Sequence, residues 1–374
     1  MFKTIQGWHG MTTKTTFKLN LGPQHPSTHG VLRLLLELDG EKILSCEPDV
    51  GYLHRGMEKM AEKMSYIQYL PTVDRIDYLA GFFYSELLCR IVENSLEVEI
   101  PAKVRAIRVM LLELNRIASH LLWVGAFLMD LGAVSPFFYA FREREMILRY
   151  FEKLTGQRMM YNYFVFGGVR HDIDFLEDVE EIVSILPEKI KDYEKIITNN
   201  PIFVRRTVEK GVLEKETALN FGITGVNLRA SGVECDLRFS DSLYKGFDIG
   251  TVVLDGKDSF ARYKARILEM KESLKIIRQA LDYLKISEPL EQRLINPINL
   301  KLPEGDYFAD IEAPRGIASC FVRSYGDKNP YRLKWRTGSY YSVNLLRKLL
   351  VGEYLNDAIA IAGSLDIILP EVDK

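Results

Sequence analysis

The stretch LGPQHPSTHGVLR, residues 21–33, decides how the first part of the chain can fold. Pro23 and Pro26 each fix φ and lack a backbone donor, so they disfavour a helix here. The two glycines of the stretch permit backbone geometry that other residues resist. We expect a rigid loop between two short strands, which holds His25 and His29 at a defined place.

The two histidines have two open interpretations. A histidine near prolines is commonly a loop residue with one satisfied hydrogen bond, and function is the alternative. A zinc site fails on geometry: His25 and His29 are four positions apart, but the prolines exclude the helix that would bring both rings to one face.

Composition sets the outer limits of the fold and function. The 374 residues are 47% hydrophobic and 27% charged, which is an ordinary globular balance. A net charge of −2 argues against nucleic acid as the main partner. The longest apolar run, residues 121–129, is too short for a membrane span, and the first residues contain no apolar signal segment. We therefore expect a cytoplasmic protein that would reach a membrane through partner subunits.

The four cysteines are far apart in the sequence and form no local metal-ligand pair. A zinc ion or an iron–sulfur cluster held by this chain alone would require all four to converge. We expect them to be small buried hydrophobic side chains and predict no metal site.

The first third of the chain changes from strands to helices. Residues 15–21 and 31–47 are predicted strands, with a turn at Asp39-Gly40. A turn at Gly51 should lead into a helix that reaches Met64, with Arg55 at its entrance. Arg55 could be a solvated charge, or its guanidinium could face an anion or a redox centre.

The pattern of residues 72–92 fits a buried helix, with Asp77 and Tyr78 as polar exceptions. A buried tyrosine commonly has a structural hydrogen bond, so a core role for Tyr78 remains an alternative to a functional one.

The strongest helix prediction covers residues 102–131, where apolar residues recur at helical period and Asp130 stands at the end. Glu113, Arg116 and His120 lie off this apolar stripe. Other long helices are also predicted, and they can pack together as a bundle. One more helix is predicted near the C-terminus. The remaining predictions are helices at 138–155, 176–198, 259–285 and 342–360, an irregular segment at 204–250, and short strands after Pro289.

Ten segments in order resemble one family. They are LGPQHPSTHGVLRL, EPDVGYLHRGMEK, RIDYL, LLELNRIASHLL, MDLGAVSPFFYAFREREMI, GGVRHD, GITGVNLRASGV, EAPRG, NPYRLKWR and GSLDIILPEVDK. Together they resemble the D subunits of respiratory complex I, the proton-pumping NADH:quinone oxidoreductase, over nearly the whole chain. That family is related to the large subunits of nickel–iron hydrogenases.

The resemblance implies an α+β fold like that of the hydrogenase large subunit. The implied parts are an N-terminal α/β region with the histidine loop at residues 1–70, a helical bundle at 71–288 with an irregular insertion near 204–250, and a C-terminal segment at 289–374. This last segment would pack back on the N-terminal region.

Hydrogenases hold nickel and iron through two CxxC pairs. By resemblance the first pair would fall at residues 75–78, which read RIDY, and the second at Ile368 and Glu371. The soft thiolate ligands are absent, so a membrane-bound nickel–iron hydrogenase is a poor alternative.

The resemblance instead implies quinone chemistry. His29 and Tyr78 would hydrogen-bond the quinone carbonyls, and Asp130 would hold the His29 imidazole. Arg55 would lie near the terminal iron–sulfur cluster, which a neighbouring subunit carries. The implied partners are this subunit, other peripheral-arm subunits and membrane-arm subunits, on the cytoplasmic face of the cell membrane.

Other functions stay open at this point. A non-catalytic scaffold subunit is one alternative. A subunit of a related complex that receives its electrons from ferredoxin or a deazaflavin instead of NADH is another. Four positions depart from the family pattern, so the resemblance is weakest near Ile317 and in the tail. They are Val226, Cys235, Ile317 and Pro370.

Overall fold

The computed structural model describes residues 16–22, 31–290 and 295–374. Its first unit is an antiparallel sheet of β1 (Thr16–Leu21), β2 (Arg33–Asp39) and β3 (Lys42–Asp49). Every second side chain of β2 is buried, as expected for a strand with one covered face. The predicted strands and the turn at Asp39-Gly40 are confirmed. Residues 23–30, with His25 and His29, lie outside the described residues.

Three helices follow the sheet: α1 (Met57–Ala61), α2 (Tyr66–Val73) and α3 (Gly81–Ser95). The predicted helix from Gly51 to Met64 is shorter than expected, because Gly56 has a φ of 64° and helix α1 begins after it. The prediction of one helix over 72–92 is wrong in its first half. The Asp77 carboxylate accepts the Leu79 backbone N–H at 3.0 Å, and such a local bond competes with helix formation.

The middle of the chain is helical. It contains α4 (Ala102–Asp130), α5 (Val134–Thr155), the small hairpin of β4 (Phe164–Val165) and β5 (Gly168–Val169), α6 (Leu176–Tyr193), α7 (Pro201–Thr207), α8 (Lys215–Asn220), α9 (Gly225–Arg229) and α10 (Ser259–Lys285). Helix α4 packs against α5 and α10, so the predicted bundle is confirmed. The helix predicted to reach residue 198 ends in a π-helical turn, Glu194–Thr198. The segment 204–250, predicted to be irregular, contains helices α8 and α9.

The C-terminal part contains a second antiparallel sheet and three helices. These are β6 (Gly305–Ala313), β7 (Gly316–Ser324), β8 (Arg332–Arg336), α11 (Gly338–Leu349), α12 (Leu355–Ser364) and α13 (Leu369–Val372). The strands after Pro289 are as predicted. The single helix predicted at 342–360 is wrong, because the chain turns at Gly352, with a φ of 90°, and starts a new helix.

Among the described residues, two large apolar cores and a third cluster of four buried residues hold these elements together. The larger core joins the long helices to the second sheet. The smaller core joins the N-terminal sheet to the last helices, for example Leu36 of β2 with Leu345 of α11 and Ile361 of α12. Within the described residues, no helix is both long and apolar enough to cross a membrane.

Candidate functional site

A cavity of about 310 Å³ lies where the N-terminal sheet, helix α4 and the segment after α12 meet. Its walls are mostly aliphatic and aromatic, with Tyr78, Trp123 and Asp366 as the residues that carry polar groups. The lining residues are Leu21, Leu32, Leu34, Tyr78, Leu122, Trp123, Ala126, Phe127, Ala358, Ile359, Ala362, Gly363, Asp366, Ile367 and Ile368. An apolar pocket with a few polar groups is typical of a small-molecule site.

The histidine loop leaves and rejoins the described part of the chain beside this cavity. Leu21 and Leu32, which flank residues 23–30, both line the wall. Gly22 has a φ of 100°, and a β-carbon there would collide with the carbonyl oxygen of Leu32. The two ends of the loop are therefore close together at the cavity. His29 lies outside the described residues, so its predicted role remains a prediction.

Tyr78 lies in the turn between α2 and α3, half-buried on the cavity wall. Asn115 of α4 donates a hydrogen bond of 2.9 Å to the Leu79 carbonyl and so ties the turn to the bundle. Burial and the neighbouring Asp77 carboxylate raise the pKa of the Tyr78 phenol. Its hydroxyl is therefore protonated at neutral pH and can donate a hydrogen bond to a ligand.

Arg315 and a set of acids lie behind the cavity wall. The Arg315 guanidinium donates to Asp77, with Nε 2.8 Å from Oδ2, and to Asp366, with Nη1 3.2 Å from Oδ2. Its Nη1 also donates to the Ser119 hydroxyl of α4 at 2.9 Å. Burial raises the pKa of Asp77 to about 6, against the opposing effect of Arg315.

The tail carries the two positions where the resemblance would put the second ligand pair of a hydrogenase. Ile368 lines the cavity, and the Glu371 carboxylate accepts from the Tyr84 hydroxyl and from the Ser339 N–H. Tyr78 and Ile368 thus share one cavity but offer a phenol and an alkyl group. Within the described ranges, no group of three or more His, Cys, Asp or Glu residues could hold a metal ion.

Asp130 is the last residue of α4 and is half-buried. One of its carboxylate oxygens lies 3.7 Å from the ideal β-carbon position of Gly363, a residue of the cavity wall on α12. Trp123 holds the same glycine in place, since its Nε1 donates to the Gly363 carbonyl at 2.8 Å. Asp130 therefore lies next to Gly363, which lines the same cavity as Tyr78, but Asp130 is not itself a lining residue.

Arg55 is exposed and does not line the cavity. Its Nη2 donates to the Arg75 carbonyl at 2.7 Å, so it contacts the RIDY segment from outside. Although the residue as a whole is exposed, partial desolvation of its guanidinium and the nearby Arg75 lower its pKa. The carboxylate of Asp373 accepts from the Gly51 and Leu53 N–H groups, both at 2.8 Å, and holds the turn before Arg55 in place.

The residue pattern pointed to neither Asp366 nor Arg315 as a site residue. Both stand in segments that carry the family resemblance, GSLDIILPEVDK and EAPRG. The available signal was a charged residue inside an apolar context, since SLDIIL has one acid among apolar residues. Asp366 also has a φ of 57°, and strained backbone at a non-glycine residue is common in functional sites.

Comparison with known proteins identifies the family of the chain. The family model described as "Respiratory-chain NADH dehydrogenase, 49 Kd subunit" matches residues 130–296 and 292–374, more than half of the chain. The chain is 46% identical to the D subunit of the NADH-quinone oxidoreductase of Geobacillus thermodenitrificans (strain NG80-2), over 95% of this chain and 98% of the relative. It is 46% identical to the corresponding D subunit of Geobacillus kaustophilus (strain HTA426), over 95% and 97% of the two chains. For the D subunit of Bacillus cytotoxicus, identity is 44% over 95% and 98%. The predicted resemblance is confirmed, and the chain belongs to the 49-kDa subunit family of respiratory-chain NADH dehydrogenases.

Proposed function

We propose that this chain forms the quinone-reduction site of a proton-translocating NADH-quinone oxidoreductase of the complex I type. The observation that carries the proposal is the apolar cavity, with the Tyr78 phenol on its wall and both ends of the histidine loop beside it. A quinone ring is flat and apolar and has two carbonyl acceptors. It needs an apolar pocket with a few fixed donors, which is the chemistry found here.

Tyr78 and His29 are the proposed donors to the two carbonyl oxygens. Reduction of a quinone to a quinol consumes two electrons and two protons. The electrons would come from an iron–sulfur cluster in an adjacent subunit, and the protons from Tyr78 and His29, directly or as a relay. The raised pKa of Tyr78 keeps its hydroxyl protonated, so that it can donate a hydrogen bond to a quinone carbonyl. Because it also makes the phenol a weaker acid, transfer of its proton would follow reduction of the quinone, which makes the carbonyl oxygen more basic.

Asp130 is the proposed partner of the His29 imidazole. It ends the longest helix of the described chain, where the helix dipole disfavours a negative charge by roughly 0.3–1 kcal/mol. A protonated histidine beside it would offset that cost. Loss of the His29 proton to reduced quinone would remove the attraction between the imidazole and the Asp130 carboxylate, and their separation would be the first movement that couples quinone reduction to the membrane arm.

Arg55 is the proposed contact toward the cluster-bearing subunit. Its guanidinium is exposed on the outer side of the segment whose inner side carries Tyr78. Electrons would enter from this face. The other proposed partners are further peripheral-arm subunits and membrane-arm subunits, which would keep the chain at the cytoplasmic side of the cell membrane.

The three-part division and the hydrogenase-like fold remain part of this proposal. The smaller core supports the idea that the C-terminal segment packs back on the N-terminal region, since it contains leucines of both. A hydrogenase function has no support, because the four ligand positions are Arg75, Tyr78, Ile368 and Glu371. A non-catalytic scaffold is the remaining alternative, and mutation of Tyr78 tests it.

Tyr78→Phe in the assembled complex tests the proposal. It removes one hydroxyl and little volume, so we expect quinone turnover to fall by about tenfold or more while NADH oxidation by a water-soluble acceptor such as ferricyanide is unchanged. The measurement is turnover with both acceptors in membranes that contain equal amounts of complex.

Tyr150→Phe is the matched control. Tyr150 is buried in α5, and its hydroxyl has no hydrogen-bond partner within the described residues. We expect it to leave both activities unchanged. Normal quinone turnover in Tyr78→Phe would mean that Tyr78 is a core tyrosine and would favour the scaffold.

A further inference from the structure

Arg315 joins three separate segments beside the cavity. It lies in the turn between β6 and β7 and is 3% exposed. Its guanidinium reaches Asp77 in the turn after α2, Ser119 on α4 and Asp366 after α12. Each nitrogen therefore has an acceptor, and each acceptor belongs to a different part of the chain.

Two of these segments provide polar residues of the cavity wall. Tyr78 follows Asp77 directly, and Asp366 itself lines the cavity while remaining 5% exposed. Asp366 also has a left-handed backbone conformation, with a φ of 57°, which is uncommon for a non-glycine residue and is stabilised by its surroundings. The bond from Arg315 to its carboxylate is one of these stabilising contacts.

We propose that Arg315 is a positioning residue of the quinone site: it fixes Asp366 on the cavity wall and, through Asp77, the turn that presents Tyr78. The inference rests on the proposed function and deepens it. Arg315 acts through these neighbours, and it does not itself line the cavity.

The charged groups around Arg315 explain why this one guanidinium can hold the neighbouring acids in place. Arg315 faces the carboxylates of Asp77, Asp366 and Glu371, the last with an oxygen 4.0 Å from Nε. Arg266 of α10 is the second cation, with Nε 3.9 Å from an oxygen of Asp366. Other titratable groups that act on these residues are Tyr78, Tyr84, Arg144 of α5 and, next to Glu371, Lys374.

Three acids thus compete for Arg315, and only one of them also has Arg266 close by. Removing the fixed guanidinium would make the Asp77 carboxyl harder to ionise, since Arg315 opposes the effect of burial on its pKa. It would also release two wall segments from one another.

The shape of the guanidinium matters as much as its charge. Arginine can bond Asp77, Ser119 and Asp366 at once because its donors form a planar fork. A lysine keeps a positive charge but cannot reach three acceptors in these directions. Arg315→Lys therefore separates positioning from simple charge neutralisation.

The test is NADH:quinone turnover against pH for Arg315→Lys, in membranes with equal complex content. The Asp77 carboxyl, whose pKa is about 6 in the intact protein, would ionise at higher pH without the fork. We expect kcat/KM for a short-chain quinone to fall about tenfold, and the acid side of the profile to move up by about one pH unit. Ferricyanide reduction should be unchanged.

Arg108→Lys is the matched control. Arg108 is equally buried in α4 and bonds Glu86 at 3.1 Å and Glu93 at 2.6 Å, but neither of these acids lines the cavity, whereas the Arg315 partner Asp366 does. It should leave the shape of the pH profile unchanged. The proposal is overturned if Arg315→Lys keeps the wild-type profile or if both variants change it equally.

Asp366→Asn decides the matter if Arg315→Lys does not assemble. This substitution keeps the shape of the side chain and removes one carboxylate that competes for Arg315. The acid side of the pH profile of quinone turnover should therefore move to lower pH. An unmoved profile in that variant overturns the proposal. The proposed function fails separately, through normal quinone turnover in Tyr78→Phe.

Discussion

Gly22 determines how closely the two ends of the histidine loop can approach. Its φ of 100° disfavours any other residue, and a β-carbon there would meet the Leu32 carbonyl oxygen. Gly22→Ala should therefore separate the ends of β1 and β2 at the cavity, at a strain of about 1 kcal/mol before the collision is counted. We expect quinone turnover to fall several-fold, measured in membranes with equal complex content.

Gly40→Ala provides the control for backbone strain. Gly40 has a φ of 62°, and a β-carbon there would meet nothing within 4 Å. Gly40→Ala therefore has the conformational cost of a positive φ but no steric collision of the new β-carbon. Equal losses of quinone turnover in the two variants would show that the approach of Gly22 to Leu32 has no functional role.

At the residue scale, sequence reasoning found the groups that stand out by type and missed those that act through a buried contact. Tyr78 was identifiable as a polar residue in an apolar segment. Arg315 is separated from Asp77 by 238 positions, and no local pattern reveals that the two side chains meet. The role of the arginine in EAPRG depends on its contact with the RIDY turn, and only the folded structure shows that contact.

Helix α4 shows both the strength and the limit of periodicity. The apolar stripe predicted residues 102–131, and the helix is Ala102–Asp130. The stripe also suggested that Glu113, Arg116 and His120 lie apart from the core, yet all three are fully buried. They face ionic partners such as Glu269 on α10, and periodicity does not detect a buried polar face that pairs with another helix.

The His120–Glu269 contact gives a prediction at this scale. His120 Nε2 lies 3.0 Å from Glu269 Oε2. Burial opposes ionisation of Glu269, but Arg229 and His120 hold the pKa of that carboxyl well below its usual range. Burial lowers the pKa of His120, so the neutral imidazole donates to an ionised acceptor. His120→Leu should destabilise the fold by about 1.5–3 kcal/mol, measured as the midpoint of heat inactivation of the complex at pH 7.5.

The pH dependence of this contact has a definite sign. The pKa of His120 is lower in the folded than in the unfolded state, so the unfolded chain binds more protons below about pH 6.5. Its contribution to stability is present above that pH and is lost as the pH falls. His120→Gln, which keeps a donor, should show a smaller decrease in the midpoint between pH 7.5 and 5.5 than wild type. If the midpoint decreases equally in His120→Gln and in wild type, the titration of His120 is not the cause of the pH dependence.

The wrong helix boundaries share a physical reason. The predicted helix over 72–92 is interrupted because the Asp77 side chain caps the Leu79 N–H, and the predicted helix over 342–360 is interrupted at Gly352. Both breaks depend on single residues: the Asp77 side chain competes with regular backbone bonding, and Gly352 takes a positive φ that a helix does not allow. Apolar periodicity continues across such residues, and it therefore overestimated helix length at both places.

At the scale of the whole molecule, the site exists because distant parts of the chain meet. The cavity joins the ends of β1 and β2, helix α4 and the tail, which are separated by more than 300 positions in the sequence. The family resemblance predicted that the RIDY and tail segments belong together, and the shared lining by Tyr78 and Ile368 agrees with it. Residue pattern alone could not have predicted the apolar walls, since they come from four segments.

A photoreactive short-chain quinone analogue, cross-linked to the purified complex and mapped by mass spectrometry, tests the central claim most directly. Tryptic cleavage would release residues 117–142 and 349–374, which carry the α4 and C-terminal walls of the cavity. We expect the label on both peptides, reduced by excess unlabelled quinone and diminished in Tyr78→Phe. Label confined to other peptides or other subunits, with these two unmarked, would contradict the assignment of the quinone site to this cavity.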